Sequence, residues 1–187
     1  MNLSTIILAA GQGTRMNSTL PKVLHPLNGK PLVKYSIDLA DALSSSRTVV
    51  VIGNGAEQVR SALGESVAYA LQPQRLGTAN AVQAAEGLLA DVSGLVLVIS
   101  ADMPLLTADT LQRLVTTQSQ NNGPMTLLTV RSANPRGFGR ILRNADGGVT
   151  GIVEEAQATA EQLKMDELNV GAYCFNSPWL WQALRKI

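Results

Sequence analysis

The sequence predicts a three-layer α/β fold around a mixed, mostly parallel sheet, and three observations carry that expectation. Thr5-Ile6-Ile7-Leu8, Thr48-Val49-Val50-Val51-Ile52 and Leu95-Val96-Leu97-Val98-Ile99 are continuous apolar runs rich in β-branched residues, the pattern of strands buried on both faces of a parallel sheet. Longer amphipathic segments separate them. That alternation points to strand–helix–strand units with right-handed crossovers.

Taken in order, the first strand leads into a glycine-rich loop, and Leu32, Val33, Ile37, Leu39, Ala40 and Leu43 then recur at helical spacing. The second apolar run follows, and Val67-Ala68-Tyr69-Ala70-Leu71 reads as a third strand. Leu76-Gly77-Thr78-Ala79 opens the next helix. After the Leu95–Ile99 strand, Thr107 is placed to cap a helix with Asp109 in its first turn, so that Leu111, Leu114 and Val115 face the core. Met125 to Val130 is a further strand. Beyond it the rhythm changes: Gly139 to Leu142 and Val149 to Val153 flank Asp146-Gly147-Gly148, a hairpin signal. A polar, helix-compatible stretch from Ala156 to Asp166 precedes a strand from Leu168 to Phe175, and Pro178 opens a last helix expected to run to Ile187 without a C-cap. An end of that kind suggests a fragment.

Composition narrows the function classes. The 187 residues suit one domain or a large part of one. A formal charge of +1 provides no broad footprint for nucleic acid or a membrane surface, so phosphate must be handled by a few placed cations. Cys174 is the only cysteine, which excludes an intramolecular disulfide and a cysteine metal cluster and fits a reducing compartment. No apolar run approaches the roughly 18 residues of a membrane span, and no secretory leader pattern precedes the first strand. The expectation is a cytoplasmic protein. His25 is the only histidine, too isolated for a histidine triad, and Trp179 and Trp181 read as packing residues.

Chemistry concentrates in Leu8-Ala9-Ala10-Gly11-Gln12-Gly13-Thr14-Arg15-Met16. Ligands of open α/β sheets bind beyond the carboxyl ends of the strands, and glycines let backbone N–H groups approach an anion. A dinucleotide fingerprint needs a third glycine or alanine where Arg15-Met16 stands, and a P-loop needs Gly-Lys-Ser/Thr at its end; neither is present. Instead Arg15 lies inside the loop and Pro21-Lys22 follows. A guanidinium and an ammonium on one loop suit a triphosphate, with Pro21 restraining the backbone before Lys22. Gln72, at the end of the third strand, offers an amide able to pair with a donor and an acceptor on a base edge. Gly77-Thr78 offers backbone N–H groups. Asp102 follows the most apolar strand, where a carboxylate would hold a hard cation such as Mg2+.

Ala9-Ala10-Gly11-x-Gly13-Thr14-Arg15-Met16 with Pro21-Lys22 resembles the sugar-phosphate nucleotidyltransferases. The longer run Leu20-Pro21-Lys22-Val23-Leu24-His25-Pro26-Leu27-x-Gly29-Lys30-Pro31-Leu32 resembles, more specifically, the uridylyltransferase domain of bacterial bifunctional N-acetylglucosamine-1-phosphate uridylyltransferase / glucosamine-1-phosphate acetyltransferase enzymes (UDP-N-acetylglucosamine pyrophosphorylases). The likeness covers essentially the whole chain and implies a Rossmann-like nucleotidyltransferase fold with a hairpin insertion that binds sugar. It implies a nucleotide-binding half at about residues 1–130 and a sugar-binding half at about 131–187. Leu8, Ala9, Ala10, Gly11, Gly13, Lys22, Gln72, Gly77 and Thr78 would contact the nucleotide. Arg15 and Lys22 would be catalytic, and Asp102 would serve both metal and sugar phosphate. Gly139, Glu154 and Asn169 match sugar-holding segments at family spacing. The chain departs from the pattern twice: Asn80 stands where relatives usually carry histidine, and Ala101 where they carry glycine, an added methyl expected to narrow the site.

The implied reaction is attack of N-acetylglucosamine-1-phosphate on the α-phosphorus of UTP, giving UDP-N-acetylglucosamine for cell-wall precursors and pyrophosphate, with Mg2+ as cofactor. No general base is required, because the nucleophile is already an anion. Two other readings stand beside it: a sibling using dTTP, GTP or CTP, and a nucleotide-sugar-binding module without turnover. Family members run well beyond this length and carry a second metal ligand, an asparagine, further on. No hexapeptide repeat of the acetyltransferase part occurs in this chain, so any oligomer built through that part lies outside it. The expected partners are small molecules, with neither nucleic acid nor membrane among them.

Overall fold

The computed structural model describes residues 2–13, 16–74 and 76–187. In chain order the first elements are β1 (Leu3–Leu8), a two-residue hairpin of β2 (Pro26–Leu27) and β3 (Lys30–Pro31), α1 (Leu32–Ala42), β4 (Arg47–Ile52), α2 (Ala56–Leu63) and β5 (Ala68–Leu71). Then come α3 (Thr78–Gln83), α4 (Glu86–Leu89), β6 (Leu95–Ser100), α5 (Ala108–Gln120) and β7 (Met125–Arg131). The last are β8 (Arg140–Arg143), β9 (Val149–Val153), β10 (Glu167–Asn176) and α6 (Ser177–Leu184). The chain divides into two units, Met1–Thr126 with Tyr173–Ile187, and Leu127–Ala172.

In the first unit the apolar runs form a parallel sheet in the order β5-β4-β1-β6. Ile6 sits opposite Val49 on one side and Val98 on the other. The carboxyl-terminal part of β10 adds an antiparallel strand, with Tyr173 opposite Val98 and Asn176 opposite Leu95. This is the α/β architecture with a mixed, mostly parallel sheet expected from the runs. Strand alternation sends Ile6, Val49, Val51, Val96 and Val98 to one face, where they pack with Ala81, Val82, Ala85, Leu89, Leu180, Trp181 and Leu184 from α3, α4, α6 and the α3–α4 junction. Ile7, Val50, Ile52, Leu97 and Ile99 point the opposite way and are wholly buried. Both faces are thus covered, which is why these strands read as unbroken apolar runs.

Helix ends follow local chemistry. Thr107 caps α5 by accepting the Thr110 N–H at 3.2 Å, as its sequence position predicts. Asn176 caps α6 through the Trp179 N–H, with Pro178 in the first turn. α6 ends at Leu184, short of Ile187. Trp181 is buried, and its indole N–H donates to Ser177 Oγ (3.2 Å), while the more exposed Trp179 stacks on Phe175. Cys174 is buried, and burial pushes its thiol up to about 12, which removes it as a nucleophile.

The second unit corrects one expectation. Ala156 to Asp166 is not a helix but holds two 3₁₀ turns, Glu155–Gln157 and Gln162–Lys164, neither with a buried residue. Without an apolar face a short helix gains little from packing, and side chains here satisfy the backbone instead. The Thr159 N–H donates to Gln162 Oε1 (2.9 Å), and the Gln162 N–H donates to Thr159 Oγ1 (3.3 Å). β8 and β9 form the expected antiparallel hairpin, with a register shift at Leu142/Arg143. Its turn is held by Asn144, whose Oδ1 accepts the Gly148 N–H at 2.7 Å. Leu168 of β10 pairs with Arg140 of β8. Glu167 accepts two hydrogen bonds from the Arg143 guanidinium, at 2.8 and 2.6 Å. That pairing, helped by Thr129 and the charges of Arg143 and Arg131, outweighs desolvation and holds the Glu167 carboxyl down at about 2.

Two outcomes follow. Leu89→Ala removes a wholly buried side chain from the α3–α4–α6 face and should cost about 2–5 kcal/mol in denaturant unfolding. Glu167 has a folded pKa below its ordinary 4.5, so its stabilising contribution is complete above that value and lost as pH falls toward 2. Glu167→Gln should therefore flatten the pH dependence of unfolding midpoints between about pH 5 and pH 2, a window set by these two values.

Candidate functional site

In a parallel sheet all carboxyl ends lie along one edge, and in the first unit that edge carries an open cleft of about 530 Å³. Leu8 ends β1, Gln72 follows β5, and Ser100 and Asp102 end and follow β6; all four line the cleft. Ala10, Gly11 and Gly13 of the glycine loop line it too, as do Lys22, Gly77 and Thr78. Residues distant in sequence thus meet because their strands stop together.

Lys22 is aimed by backbone rather than by its own flexible stem. It opens a 3₁₀ turn, Lys22–Leu24, directly after buried Pro21. Gly13 has φ +62°, and a Cβ there would lie 2.6 Å from Lys22 Cβ. Gly55 has φ +70°, and a Cβ there would lie 2.4 Å from Pro21 Cγ. The glycine loop and the β4–α2 connection therefore hold the Pro21-Lys22 turn from two sides, with no space for a methyl at either glycine. So held, Lys22 Nζ forms an ion pair with the Asp102 carboxylate across the cleft. The two side chains are 30% and 33% exposed, so a ligand can reach both. Burial pushes the Asp102 carboxyl up, but hydrogen bonds from Lys22 and Ser100, with the Lys22 charge, outweigh it and hold the group below the ordinary carboxylate range.

Gln72 supplies the neutral side of the cleft. It is 5% exposed, and its Nε2 donates to the Gly77 carbonyl (3.2 Å) and to Asn80 Oδ1 (2.9 Å). Its backbone N–H donates to the Ile52 carbonyl (2.8 Å), extending the β4–β5 ladder by one residue.

In the second unit Gly139, Glu154 and Asn169 are brought together. The Asn169 N–H donates to the Gly139 carbonyl at 2.8 Å, and a Cβ on Gly139 would lie 3.3 Å from Glu154 Oε1. Asn169 Oδ1 accepts the Gly171 N–H (3.1 Å). Beside them, Arg140 is buried and pairs through Nη2 with Glu155 Oε2 at 3.2 Å. The Gly137 N–H, then Arg140, hold the Glu155 carboxyl below its ordinary range.

Of the residues singled out in the sequence, Leu8, Ala10, Gly11, Gly13, Lys22, Gln72, Gly77, Thr78 and Asp102 line one cleft. Ala9 does not: it is buried, and its N–H donates to the Val51 carbonyl (2.8 Å). Thr14 and Arg15 lie outside the described residues. Ala101 is wholly buried and absent from the cleft wall, so its methyl does not narrow the cleft. His25 has a structural contact, with Nε2–H donating to the Leu20 carbonyl at 3.2 Å. Ser100 was not signalled by any motif, and Gly55 acts through a contact that residue spacing does not reveal. Among the described residues no group of three or more His, Cys, Asp or Glu side chains is placed to hold a metal. Asp102 alone still fits Mg2+, which takes one or two carboxylates and completes its shell with substrate oxygens and water. No described helix is long and apolar enough to cross a membrane.

Comparison with known proteins agrees with this arrangement. The family described as MobA-like NTP transferase domain matches residues 5–162. "Bifunctional protein GlmU" of Exiguobacterium sibiricum is 46% identical over 187 residues, which are 100% of this chain and 42% of that protein. The proteins of the same name from Bacillus licheniformis and Bacillus subtilis are 45% and 44% identical over 182 residues, in each case 97% of this chain and 40% of the relative. The chain thus spans about two-fifths of the length of the curated relatives it matches. With a Rossmann-like sheet and a glycine loop, lysine and carboxylate converging on one cleft, the chain belongs to the MobA-like NTP transferase domain family.

Proposed function

We propose that the chain transfers a uridylyl group from UTP to N-acetylglucosamine-1-phosphate in a Mg2+-dependent reaction. The observation that carries this reading is the meeting of Lys22 and Asp102 in a cleft whose other side presents Gln72. One cation, one carboxylate and one amide are what a triphosphate, its metal and its base each require. Similarity to proteins named bifunctional protein GlmU supports this sugar and base over siblings that use dTTP, GTP or CTP.

In this reaction a phosphate oxygen of the sugar phosphate forms a bond to the α-phosphorus of UTP. The bond from that phosphorus to the bridging oxygen breaks, and pyrophosphate leaves with the electron pair. The nucleophile is already ionised, so positioning and charge stabilisation are the protein's tasks. Asp102 would hold Mg2+, which neutralises phosphate charge and polarises the α-phosphorus when bound. Lys22 would leave Asp102 and stabilise charge developing on the pyrophosphate. Arg15, by resemblance, would share that task. Backbone groups of Leu8, Ala10, Gly11 and Gly13, with Gln72, Gly77 and Thr78, would contact the nucleotide, Ala9 serving instead to tie the loop to β4 through its bond to the Val51 carbonyl; Gly139, Glu154 and Asn169 of the second unit would contact the sugar.

The test is a coupled pyrophosphate assay across a panel of nucleoside triphosphates and sugar-1-phosphates, with and without Mg2+. Turnover confined to UTP, N-acetylglucosamine-1-phosphate and Mg2+ is expected; UDP-sugar binding without pyrophosphate release would establish a binding module instead. Lys22→Ala should lower kcat by about 10²–10³-fold, the scale of losing one preorganised charge-stabilising group. Asp102→Asn should abolish Mg2+-dependent release while the folded far-UV spectrum persists, and near-normal turnover would refute the metal role.

A further inference from the structure

The hydrogen bonds around Gln72 reach beyond that reading while resting on it. A side-chain amide can face a ligand as donor or as acceptor, and the two faces select different bases. Here the choice is made by the protein. The Gly77 carbonyl, 3.2 Å from Gln72 Nε2, can only accept, so the amide end facing it is nitrogen. With that end fixed, the Asn80 atom 2.9 Å away must be its oxygen, because its own NH2 would set donor against donor. Both N–H groups of Gln72 are thereby used, and no described residue donates to Gln72 Oε1. Gln72 lines the cleft and Asn80 does not.

We propose that Asn80 is a positioning residue for base selection: with the Gly77 carbonyl it locks the Gln72 amide so that Oε1 alone faces the cleft and accepts the N3–H of uracil. Cytosine seated in the same place carries a lone pair at N3, so acceptor would meet acceptor. Asn80 touches no ligand in this scheme. Its effect passes through the orientation of Gln72, and an acceptor oxygen at position 80 is all that is required.

The experiment measures Kd for UTP and for CTP, with Mg2+, on the unaltered chain, Asn80→Ala and Asn80→Asp. The ratio of the two constants on one protein is independent of the folded fraction, and the charge added in Asn80→Asp cancels from it. The unaltered chain should favour UTP. Asn80→Ala should lower that preference by about 2- to 10-fold, the value of one net hydrogen bond. Asn80→Asp retains the acceptor and should keep the preference within about twofold, well inside the worth of one such bond. A UTP preference undiminished in Asn80→Ala would overturn the positioning role alone, as would an equal loss in both variants. No preference in the unaltered chain would instead overturn the uridine reading on which the proposal rests.

Discussion

Ile6 of β1 pairs with Val49 on one side and Val98 on the other, and this double parallel registration determines where everything else can stand. It brings Leu8, Ser100 and the residue after Ile52 to one edge, and β5 adds Gln72 to the same edge. A slip of one residue in any of these strands would exchange the side chains packed on its two covered faces. The wholly buried side chains of Ile6, Ile7, Val50, Val51, Leu97 and Ile99 make that slip costly. The rigidity of the cleft floor is therefore a consequence of core packing, and the loops above it need only supply chemistry.

The Lys22–Asp102 pair shows how little of that chemistry concerns stability. Both partners are about one-third exposed, where an ion pair contributes on the order of 0–1 kcal/mol. Its importance is positional. A chain with net charge +1 has no general attraction for a triphosphate, so one cation must be delivered to one place. Lysine alone would wander on its four-carbon stem; the contacts of Gly13 with Lys22 and of Gly55 with Pro21 restrict where that stem begins. By contrast the Arg143–Glu167 pairing in the second unit involves a carboxylate only 12% exposed and held by a two-bond guanidinium fork, and it carries a distinct acid sensitivity.

What could be read from the residues depended on whether the physics was local. Strands buried on both faces announce themselves as apolar runs, and Thr107 announces its helix by a single hydroxyl. The glycine loop was legible because lysine, proline and glycine crowd a short segment after a strand. The segment from Ala156 to Asp166 misled because helix-compatible residues form a helix only with something to bury. The Gly55–Pro21 contact joins residues far apart in the chain, so its glycine looked like any turn residue. Ala101 was expected to intrude on the site, yet the direction of its methyl is decided by the end of β6, which turns it into the core. Asn80 was visible only as a mismatch; its use appears once α3 brings it beside Gln72.

Gln72 and Lys22 face the same cleft under opposite electrical conditions, and the contrast bears on how a ligand would enter. The Gln72 amide is satisfied on its nitrogen side and open on its oxygen, so a base can bind without breaking any contact within the protein. Lys22 and Asp102 satisfy each other. An anion alone could draw Lys22 away only by leaving a half-buried carboxylate uncompensated, and a cation alone would strand the ammonium. A triphosphate arriving with its metal solves both problems at once, because each half of the ion pair gains an opposite charge as it loses its partner. On the proposed reading, this makes the metal–nucleotide complex the favoured ligand over either component, for reasons of charge balance alone.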